Sequence, residues 1–452
     1  MQPVRIKHTI EKLASHGGLI LIGDLLNAMN IQTAFSQIDV HCIDPKFSHA
    51  DILSAMMGLI SIAKPDYDAI HIFREKQEFF AKALQISGCP SSPTLRQRID
   101  LIGNKADHII KDVSSALIQS KAPAISPIQT SVGLFCPLDI DVSPFDNSKT
   151  RKEGVSRTYK GYDGYAPIFA YLGKEGYLVN LELRQGSQHC QKNTPGFIEQ
   201  TLSHARKLTG HPILMRLDSG NDSQDNLPDP KREEVHFIIK RNLRKESPLR
   251  WAELARQKGE AVINRQDKVV WRGKTAIGLK GEELPFPIVF EVTEQYVKKG
   301  QRLMFPEIAV DTYWCGIEGL DASEVISLYH DHGTSEQYHS EIKSDMDLER
   351  LPSGNFASNS LVLHLGMLVY NMLRVIGQIS LEEMSKGSFP KYRQKGVARR
   401  RIRTVIQDLM YMAGRLIHTG RAWYFSFGQL NPFAAICERI INRIRGVPAM
   451  AV

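Results

Sequence analysis

Four segments between residues 132 and 222 constrain the fold more than any other part of this 452-residue chain. The segments "VGLFCPLDIDVS", "YAPIFAYLG" and "GYLVNLELR" have the apolar composition of strands and are separated by short turns. A helical pattern follows in "TPGFIEQTLSHARKLTG", where Thr194 is the expected N-cap and Pro195 the first helical residue. The fourth segment, "HPILMRLDSGND", is another short buried strand. Three consecutive strands, a helix and a fourth strand predict an α/β domain with a mixed sheet.

The flanking regions have different patterns. Residues 1–128 are predicted to be helical, because "HADILSAMMGLISIAK" and "HIFREKQEFFAKALQI" repeat apolar residues every three to four positions. Residues 235–318 contain strand-like segments such as "KVVWRG" and "FPIVFEVTEQYV", which indicate a β-rich insertion. The α/β core is therefore predicted in two parts, 129–234 and 319–385, followed by a basic segment over 386–452.

The distribution of charge favours an anionic partner. The chain has a net charge of +8 and a pI of about 9.0. Residues 386–446 contain thirteen Lys and Arg residues against two acids, so this segment alone exceeds the net charge of the whole chain. Interleaved aromatic residues are typical of binding to a phosphate backbone, although a solvated helix face gives a similar pattern. The candidate DNA contacts are Arg399, Arg400, Arg401 and Arg403.

A second basic element lies near the N-terminus. A Gly/Pro turn in "SGCPSSPTLRQRIDLIG" precedes a helix expected to start near Pro93 and to expose Arg96 and Arg98. A helix, a tight turn and a second basic helix are consistent with a helix-turn-helix in a DNA major groove. An ordinary helical hairpin explains the same pattern equally well.

Two acids are placed for metal chemistry at strand ends, Asp141 in "LDIDVS" and Asp218 in "MRLDSGND". Asp139 points to the same face of its strand as Asp141, so it could assist Asp141 in metal binding or compete with it for that role. Hard divalent cations prefer carboxylate oxygens, and a pair of such ions can support phosphoryl transfer. Two aspartates at strand ends and one glutamate on a helix would suffice to bind such a pair of ions.

Residues 329–343, "YHDHGTSEQYHSEIK", supply candidates for the third acid. Thr334 is predicted to cap a helix here, with Gln337 as its capping-box partner. Glu336 then shares one helix face with the residues three, four and seven positions later, which are His339, Ser340 and Lys343. Glu341 is turned about 140° away from Glu336. Helix geometry therefore favours Glu336 as the metal-binding acid, whereas the histidines lack the H-E-x-x-H pattern of a zinc site.

These residues resemble a known family. Tyr329-x2-His332-x3-Glu336-x6-Lys343 is similar to the Y-x2-R-x3-E-x6-K signature of bacterial insertion-sequence transposases of the DDE type, with His332 in place of the usual arginine. "LDIDVS" and "MRLDSGND" resemble the motifs of the first and second acids of that family. Further similar stretches extend over nearly the whole chain. The resemblance implies an RNase H-like mixed-sheet core interrupted by a β-rich insertion, with a helical N-terminal domain and a basic helical C-terminal segment.

The same resemblance implies a function. Asp141, Asp218 and Glu336 would hold two Mg²⁺ or Mn²⁺ ions, cleave DNA at transposon ends and transfer the freed strands into target DNA. Lys343 would hold a phosphate, Tyr329 and His332 would contact the DNA, and an aromatic residue of the insertion would stabilise a flipped base. Candidates for that aromatic residue are Trp271 and Trp314, although each also suits a packed β core.

The expected partners are double-stranded DNA, both terminal inverted repeats and target, and a second copy of the chain in a homodimeric synaptic complex. The expected location is the bacterial cytoplasm, at the nucleoid when the protein is bound to DNA, with no membrane. Two alternatives remain: a non-catalytic DNA-binding relative, and a metal-dependent nuclease without strand transfer.

Overall fold

A computed structural model describes residues 10–42, 45–227, 235–278, 285–386, 397–428 and 430–447. Helices form most of the two ends of the chain, and strands form its middle. The helices are α1 (Leu19–Ala28), α2 (Ile31–Ser36), α3 (His49–Ser61), α4 (His71–Arg74), α5 (Gln77–Leu84), α6 (Ser92–Ile102), α7 (Asp107–Lys121), α8 (Thr194–Arg206), α9 (Pro248–Lys258), α10 (Ala322–His330), α11 (Ser335–Ser340), α12 (Phe356–Lys386), α13 (Ile402–Val405) and α14 (Ala434–Arg445).

The strands form three sheets among the described residues. They are β1 (Ile128–Thr130), β2 (Gly133–Val142), β3 (Phe145–Asp146), β4 (Ser156–Arg157), β5 (Asp163–Tyr165), β6 (Ile168–Leu172), β7 (Tyr177–Glu182), β8 (Ile213–Leu217), β9 (Val235–Arg241), β10 (Glu260–Asn264), β11 (Lys268–Ile277), β12 (Phe286–Lys298), β13 (Gln301–Cys315), β14 (Gly414–Thr419) and β15 (Ala422–Phe427). The large sheet has the order β10-β11-β12-β13-β9-β8-β2-β6-β7, and β1 pairs with β2.

The core half of this sheet has RNase H-like topology. Strands β2, β6 and β7 are antiparallel neighbours, whereas β8 and β9 continue from β2 in parallel. Helix α8 connects β7 to β8 and packs against β7. The predicted mixed sheet is therefore confirmed, with the first three strands followed by a helix and a fourth strand.

The insertion begins later than predicted. Residues 235–241 were assigned to the β-rich insertion, but β9 pairs in parallel with β8 and is the fifth strand of the core. The insertion strands then continue the same sheet, because β13 pairs antiparallel with β9 over Thr312–Cys315. A strand pattern shows that a segment is extended but does not show which neighbour it pairs with, so the boundary could not be read from the sequence.

Helix α12 forms the centre of the helical layer. It packs against α3, α7 and α14 and against β7 of the sheet. Among the described residues it is the one helix long and apolar enough to cross a membrane, and its apolar window is entirely buried inside the protein. Its hydrophobicity is accounted for by its central position.

The C-terminal segment is only partly helical. The prediction of a helical segment over 386–452 is corrected by the hairpin β14–β15, which precedes α14. Gly414 forms a bridge with Ala14, and α14 packs against α1, so this segment contacts the N-terminal helices. Lys391, Arg393 and Lys395 of the basic segment lie outside the described residues.

The start of α8 also differs from the prediction. Thr194 is the first helical residue and not the N-cap, a position that Asn193 occupies in the left-handed conformation. The Thr194 hydroxyl is within hydrogen-bonding distance of the Cys190 carbonyl, 2.5 Å away. The helix therefore begins one residue earlier, and its start is fixed by the preceding loop.

Candidate active site

Asp141 and Asp218 lie at one edge of the sheet because β2 and β8 are parallel neighbours. The register pairs Ile140 with Leu217, and the two aspartates follow at the next position of each strand. Asp218 Oδ1 accepts a hydrogen bond from Asn221 Nδ2 at 2.8 Å. The structure thus brings together two acids that are 77 residues apart in the chain (218 − 141).

Asp139 has a different role from Asp141, although the two share a strand face. Arg216 Nε and Nη2 donate to the two Asp139 oxygens at 2.7 and 2.8 Å, and His332 Nδ1 lies 2.8 Å from Oδ1. Arg216 Nη1 also donates to the Leu328 carbonyl at 2.7 Å. Both carboxylate oxygens of Asp139 are therefore used inside the protein, where they connect the sheet to α10.

His332 is buried in this cluster. It is 6% exposed and lies near the sheet edge that carries Asp141 and Asp218, and its Nδ1 is directed at Asp139. Burial alone would lower the pKa of His332, but the Asp139 charge outweighs it and raises the pKa above its ordinary value. His332 is therefore held against Asp139 inside the protein, and its burial corrects the expectation of an open DNA contact.

The third acid lies on a helical segment that differs from the prediction at its start. Helix α10 continues through a 3₁₀ turn (Asp331–Thr334), α11 and a π turn (Glu341–Asp345). Thr334 has helical dihedral angles and makes no capping bond, so the predicted N-cap is wrong. The preceding helix continues into α11, and the expected helix start does not exist.

An open groove with a volume of about 980 Å³ contains the predicted catalytic residues. Asp141, Asp218, Glu336 and Lys343 all line it. Glu336 is exposed and also borders a neighbouring cavity. Lys343 Nζ donates to the Pro144 carbonyl at 2.6 Å, and burial lowers the pKa of Lys343. The predicted helix face is thus confirmed, since Glu336 and Lys343 face the same groove.

Glu341 faces away from the groove, as helix geometry predicts. It is 1% exposed and forms ion pairs with Arg374 and Arg399. Its Oε1 also accepts the Ile402 N–H at 3.2 Å. This carboxylate connects the helical segment of the third acid to α12 and α13, so its role in the fold is structural.

The electrostatics of the two aspartates differ. Burial and the nearby Asp141 carboxylate raise the pKa of Asp218. Burial would also raise the pKa of Asp141, but the hydrogen bond from His339 holds it below its ordinary value. Two neighbouring carboxylates in a partly enclosed groove repel each other, and a divalent cation would relieve that repulsion.

The donor set fits a hard divalent cation. Asp141, Asp218 and Glu336 offer carboxylate oxygens along one groove, which are the ligands that Mg²⁺ and Mn²⁺ prefer. Among the described residues no three His, Cys, Asp or Glu side chains are grouped closely enough to hold a metal ion as they stand. The fit therefore rests on donor chemistry and on the repulsion between Asp141 and Asp218.

Two contacts of the acids were not identified as functional from the sequence. His339 Nε2 lies 3.1 Å from Asp141 Oδ2, and Asn221 donates to Asp218. The signal for His339 was its place on the helix face of Glu336. Asn221 lies three residues after Asp218, a spacing that carries no signal without the turn (Ser219–Asn221) that the structure forms there.

The predicted aromatic contacts are mostly packed inside the protein. Tyr329 is half-buried, lines the groove and packs on Tyr313 with ring centroids 4.8 Å apart. Trp314 is 6% exposed and donates to Asp222 Oδ1 at 2.8 Å. Trp271 is half-buried against the core. Of the two alternatives given for the tryptophans, Trp314 has the second, packing in the β core. Trp271 also lies in the β layer.

The two arginines of α6 are in different environments. Arg96 is exposed, with its guanidinium 5.6 Å from the centroid of the Tyr67 ring. Arg98 is 7% exposed, donates to the Phe47 carbonyl at 3.0 Å and lies 2.9 Å from His49 Nδ1. The expectation that Arg98 is exposed is wrong, because α6 turns this residue towards α3.

The C-terminal arginines are paired with acids. Arg399 bonds Glu341, and the buried Arg400 bonds Asp408 and Ser380. Arg401 and Arg403 share Asp345 at 2.7 and 3.0 Å, yet about half of each side chain is exposed (51% and 52%). Arg400 is therefore a structural residue, and exposed basic charge remains on Arg401 and Arg403.

Comparison with known proteins places the chain in a family. The family model described as Transposase DDE domain group 1 matches residues 1–449. No match was found among curated proteins. Among solved structures, the chain is similar to one in the cryo-EM structure of the piggyBac transposase synaptic complex with hairpin DNA, at 11% identity, a TM-score of 0.44 and coverage of 88% of this chain and 80% of that chain. The family model spans almost the whole sequence and confirms the predicted resemblance, so the chain belongs to the Transposase DDE domain group 1 family.

Proposed function

We propose that this transposase cleaves DNA at transposon ends and joins the freed strands to target DNA by metal-dependent phosphoryl transfer. One observation carries the proposal. Asp141, Asp218 and Glu336, which lie far apart in the sequence, line a single groove together with Lys343. Three carboxylates beside one cation suit a reaction whose catalysis consists mainly of positioning and charge stabilisation.

In the first step a water molecule attacks a phosphodiester at the transposon end, and the bond to the 3′ oxygen breaks. In the second step the freed 3′-OH attacks a target phosphodiester in the same groove, and the bond from that phosphorus to the target 3′ oxygen breaks. The transposon strand is thereby joined to the 5′ side of the target, and a target 3′-OH is released. Asp141, Asp218 and Glu336 would hold two Mg²⁺ or Mn²⁺ ions, which when bound activate the attacking oxygen and stabilise the leaving oxygen. Lys343 holds a phosphate oxygen near the scissile bond, and Tyr329 packs beside the strand.

The DNA partners follow from this reaction. Terminal inverted repeats and target DNA would contact exposed basic side chains, which among the predicted DNA contacts include Arg96, Arg401 and Arg403. Two transposon ends must meet in one complex, so we propose a homodimer on DNA. The protein would act in the bacterial cytoplasm, on the nucleoid.

The test uses the DNA that flanks the gene. The protein is incubated with Mg²⁺, a labelled duplex carrying the terminal inverted repeat and a target plasmid. We expect cleavage at the repeat and joined products, with both reactions lost in Asp218→Asn. A scrambled terminal sequence is the matched substrate control.

The products separate the alternatives. Cleavage without joined products would support a metal-dependent nuclease on the same core. Binding to the repeat without cleavage would support a non-catalytic DNA-binding relative. If Asp218→Asn cleaved as fast as the unchanged protein, the metal mechanism would be wrong.

A further inference from the structure

His339 connects the strand end that bears the first acid to the helix that bears the third. Its Nε2 lies 3.1 Å from Asp141 Oδ2, and its Nδ1 lies 3.2 Å from the Tyr171 hydroxyl. His339 follows Glu336 by one helical turn on α11. The His339 imidazole therefore links the Asp141 carboxylate to α11, the helix that also carries Glu336.

The two contacts define the hydrogen-bonding roles of the ring. A carboxylate only accepts hydrogen bonds, so His339 Nε2 must carry the proton that it shares with Asp141. In the neutral imidazole Nδ1 is then an acceptor, and the Tyr171 hydroxyl donates to it. The chain Tyr171–His339–Asp141 is thus consistent in its donors and acceptors from one end to the other.

Packing holds the ring in this orientation. His339 is 5% exposed, and its centroid lies 5.2 Å from that of Phe169 and 5.4 Å from that of Tyr171. Phe169 and Tyr171 project from β6, where they pair in register with Asp141 and Asp139. The ring therefore rests against the strand next to the one that bears the first acid.

The hydrogen bonds leave Asp141 able to bind a cation. Its Oδ1 accepts the Val142 N–H at 2.7 Å, and its Oδ2 accepts from His339. Each carboxylate oxygen has two lone pairs, so each keeps one free. Groups that hydrogen-bond a metal-binding carboxylate fix its orientation, and their loss typically weakens metal binding or activity by about 10–100-fold.

We infer that His339 is a positioning residue that orients the Asp141 carboxylate for the divalent cation and keeps it in register with the Glu336 helix. This inference rests on the proposed function, because it concerns the same site. The buried His339 ring, held by Tyr171, orients the carboxylate, so metal affinity should depend on the N–H at Nε2.

The experiment measures Mn²⁺ binding to the full chain by isothermal titration calorimetry, with no DNA present. His339→Phe keeps an aromatic ring but has no N–H, and we expect its Mn²⁺ affinity to fall by about 10–100-fold. His339→Gln keeps an N–H donor and should recover part of the loss. Tyr171→Phe removes only the hydroxyl that orients Nδ1, so it should give a smaller loss in the same direction.

His364→Phe is the matched control. His364 is also buried and lies 3.3 Å from a carboxylate, that of Asp107, but it is on α12 away from the groove. Its replacement should lower the thermal stability and leave Mn²⁺ affinity unchanged. Unchanged affinity in both His339→Phe and Tyr171→Phe would overturn the inference. If His339→Phe does not fold, Tyr171→Phe alone is measured: a lower Mn²⁺ affinity supports the inference and an unchanged affinity overturns it.

Asp141→Asn separates this inference from the proposed function. If Asp141→Asn loses Mn²⁺ binding while the His339 and Tyr171 variants keep it, only the positioning role is wrong. If Asp141→Asn also binds Mn²⁺ as the unchanged protein does, the metal site itself is wrong.

Discussion

Replacing Asp139 by Asn tests whether two acids on one strand face have separate roles. Asn has almost the same shape as Asp but carries no charge. Its NH₂ group would face the donors of Arg216, which is 3% exposed, and of His332, which is 6% exposed. We expect Asp139→Asn to destabilise the fold strongly, because it leaves the buried Arg216 guanidinium and the buried His332 ring without their shared anion.

The magnitude follows from the burial of this cluster. Removing one partner of a buried ion pair typically costs about 3–5 kcal/mol. Unfolding entropy near 60 °C is about 2.1 cal/mol/K per residue, so the 452 residues give about 0.95 kcal/mol/K if they unfold together. A loss of about 3–5 kcal/mol then lowers the melting temperature by about 3–5 °C.

Asp218→Asn is the matched variant, and calorimetry with a cleavage assay measures both proteins. Burial and Asp141 raise the pKa of Asp218, so its ionised form is unfavourable in the folded state. Asp218→Asn should therefore melt at the same or a higher temperature and lose cleavage. If Asp139→Asn instead melted like the unchanged protein but lost cleavage, Asp139 would belong to the metal site and our assignment would be refuted.

Three further predictions concern the surroundings of the site. Glu341→Gln leaves two arginines without their anion and should cost about 3–5 kcal/mol in urea unfolding, and an unchanged midpoint would contradict this role. Gly176→Ala should destabilise by about 1–3 kcal/mol, because the residue has φ +70° and a Cβ would lie 2.3 Å from Tyr338 Cζ; a midpoint equal to that of the unchanged protein would argue against this contact. Burial would lower the pKa of His332 but Asp139 raises it above 6.5, so its stabilisation is complete below that pH and is lost as the pH rises through the folded pKa. The stability difference between the unchanged protein and His332→Gln should therefore shrink with rising pH, and a difference that grew would show the opposite sign.

Local patterns in the sequence were sufficient for several parts of this structure. Apolar composition predicted the strands that contain Asp141 and precede Asp218, because buried strands need such residues whatever their neighbours are. Helical periodicity separated Glu336 from Glu341, since the angle between two residues on a helix depends only on their spacing. The family motifs then linked these acids, and the family model confirmed the family.

Local patterns failed where a residue's role depends on a distant partner. Asp139 and Asp141 have the same strand face and the same charge, and nothing near them in the sequence distinguishes them. Arg98 and Arg400 looked like exposed DNA contacts, but packing of their segments onto α3 and α12 turns them inwards. The type of a residue shows that it is charged, but it does not show whether the side chain is exposed or buried.

The strands, the helix faces and the family of this protein could be predicted from local patterns, because these depend on spacing and residue type along the chain. The difference between Asp139, which is ion-paired inside the protein, and Asp141, which lines the groove, depends on contacts between distant segments. The register of β2 on β8 sets Arg216 opposite Asp139, and two positions further along the strands it brings Asp218 beside Asp141. That pairing joins residues 77 positions apart (216 − 139), and it neutralises one carboxylate while leaving its neighbour facing the groove.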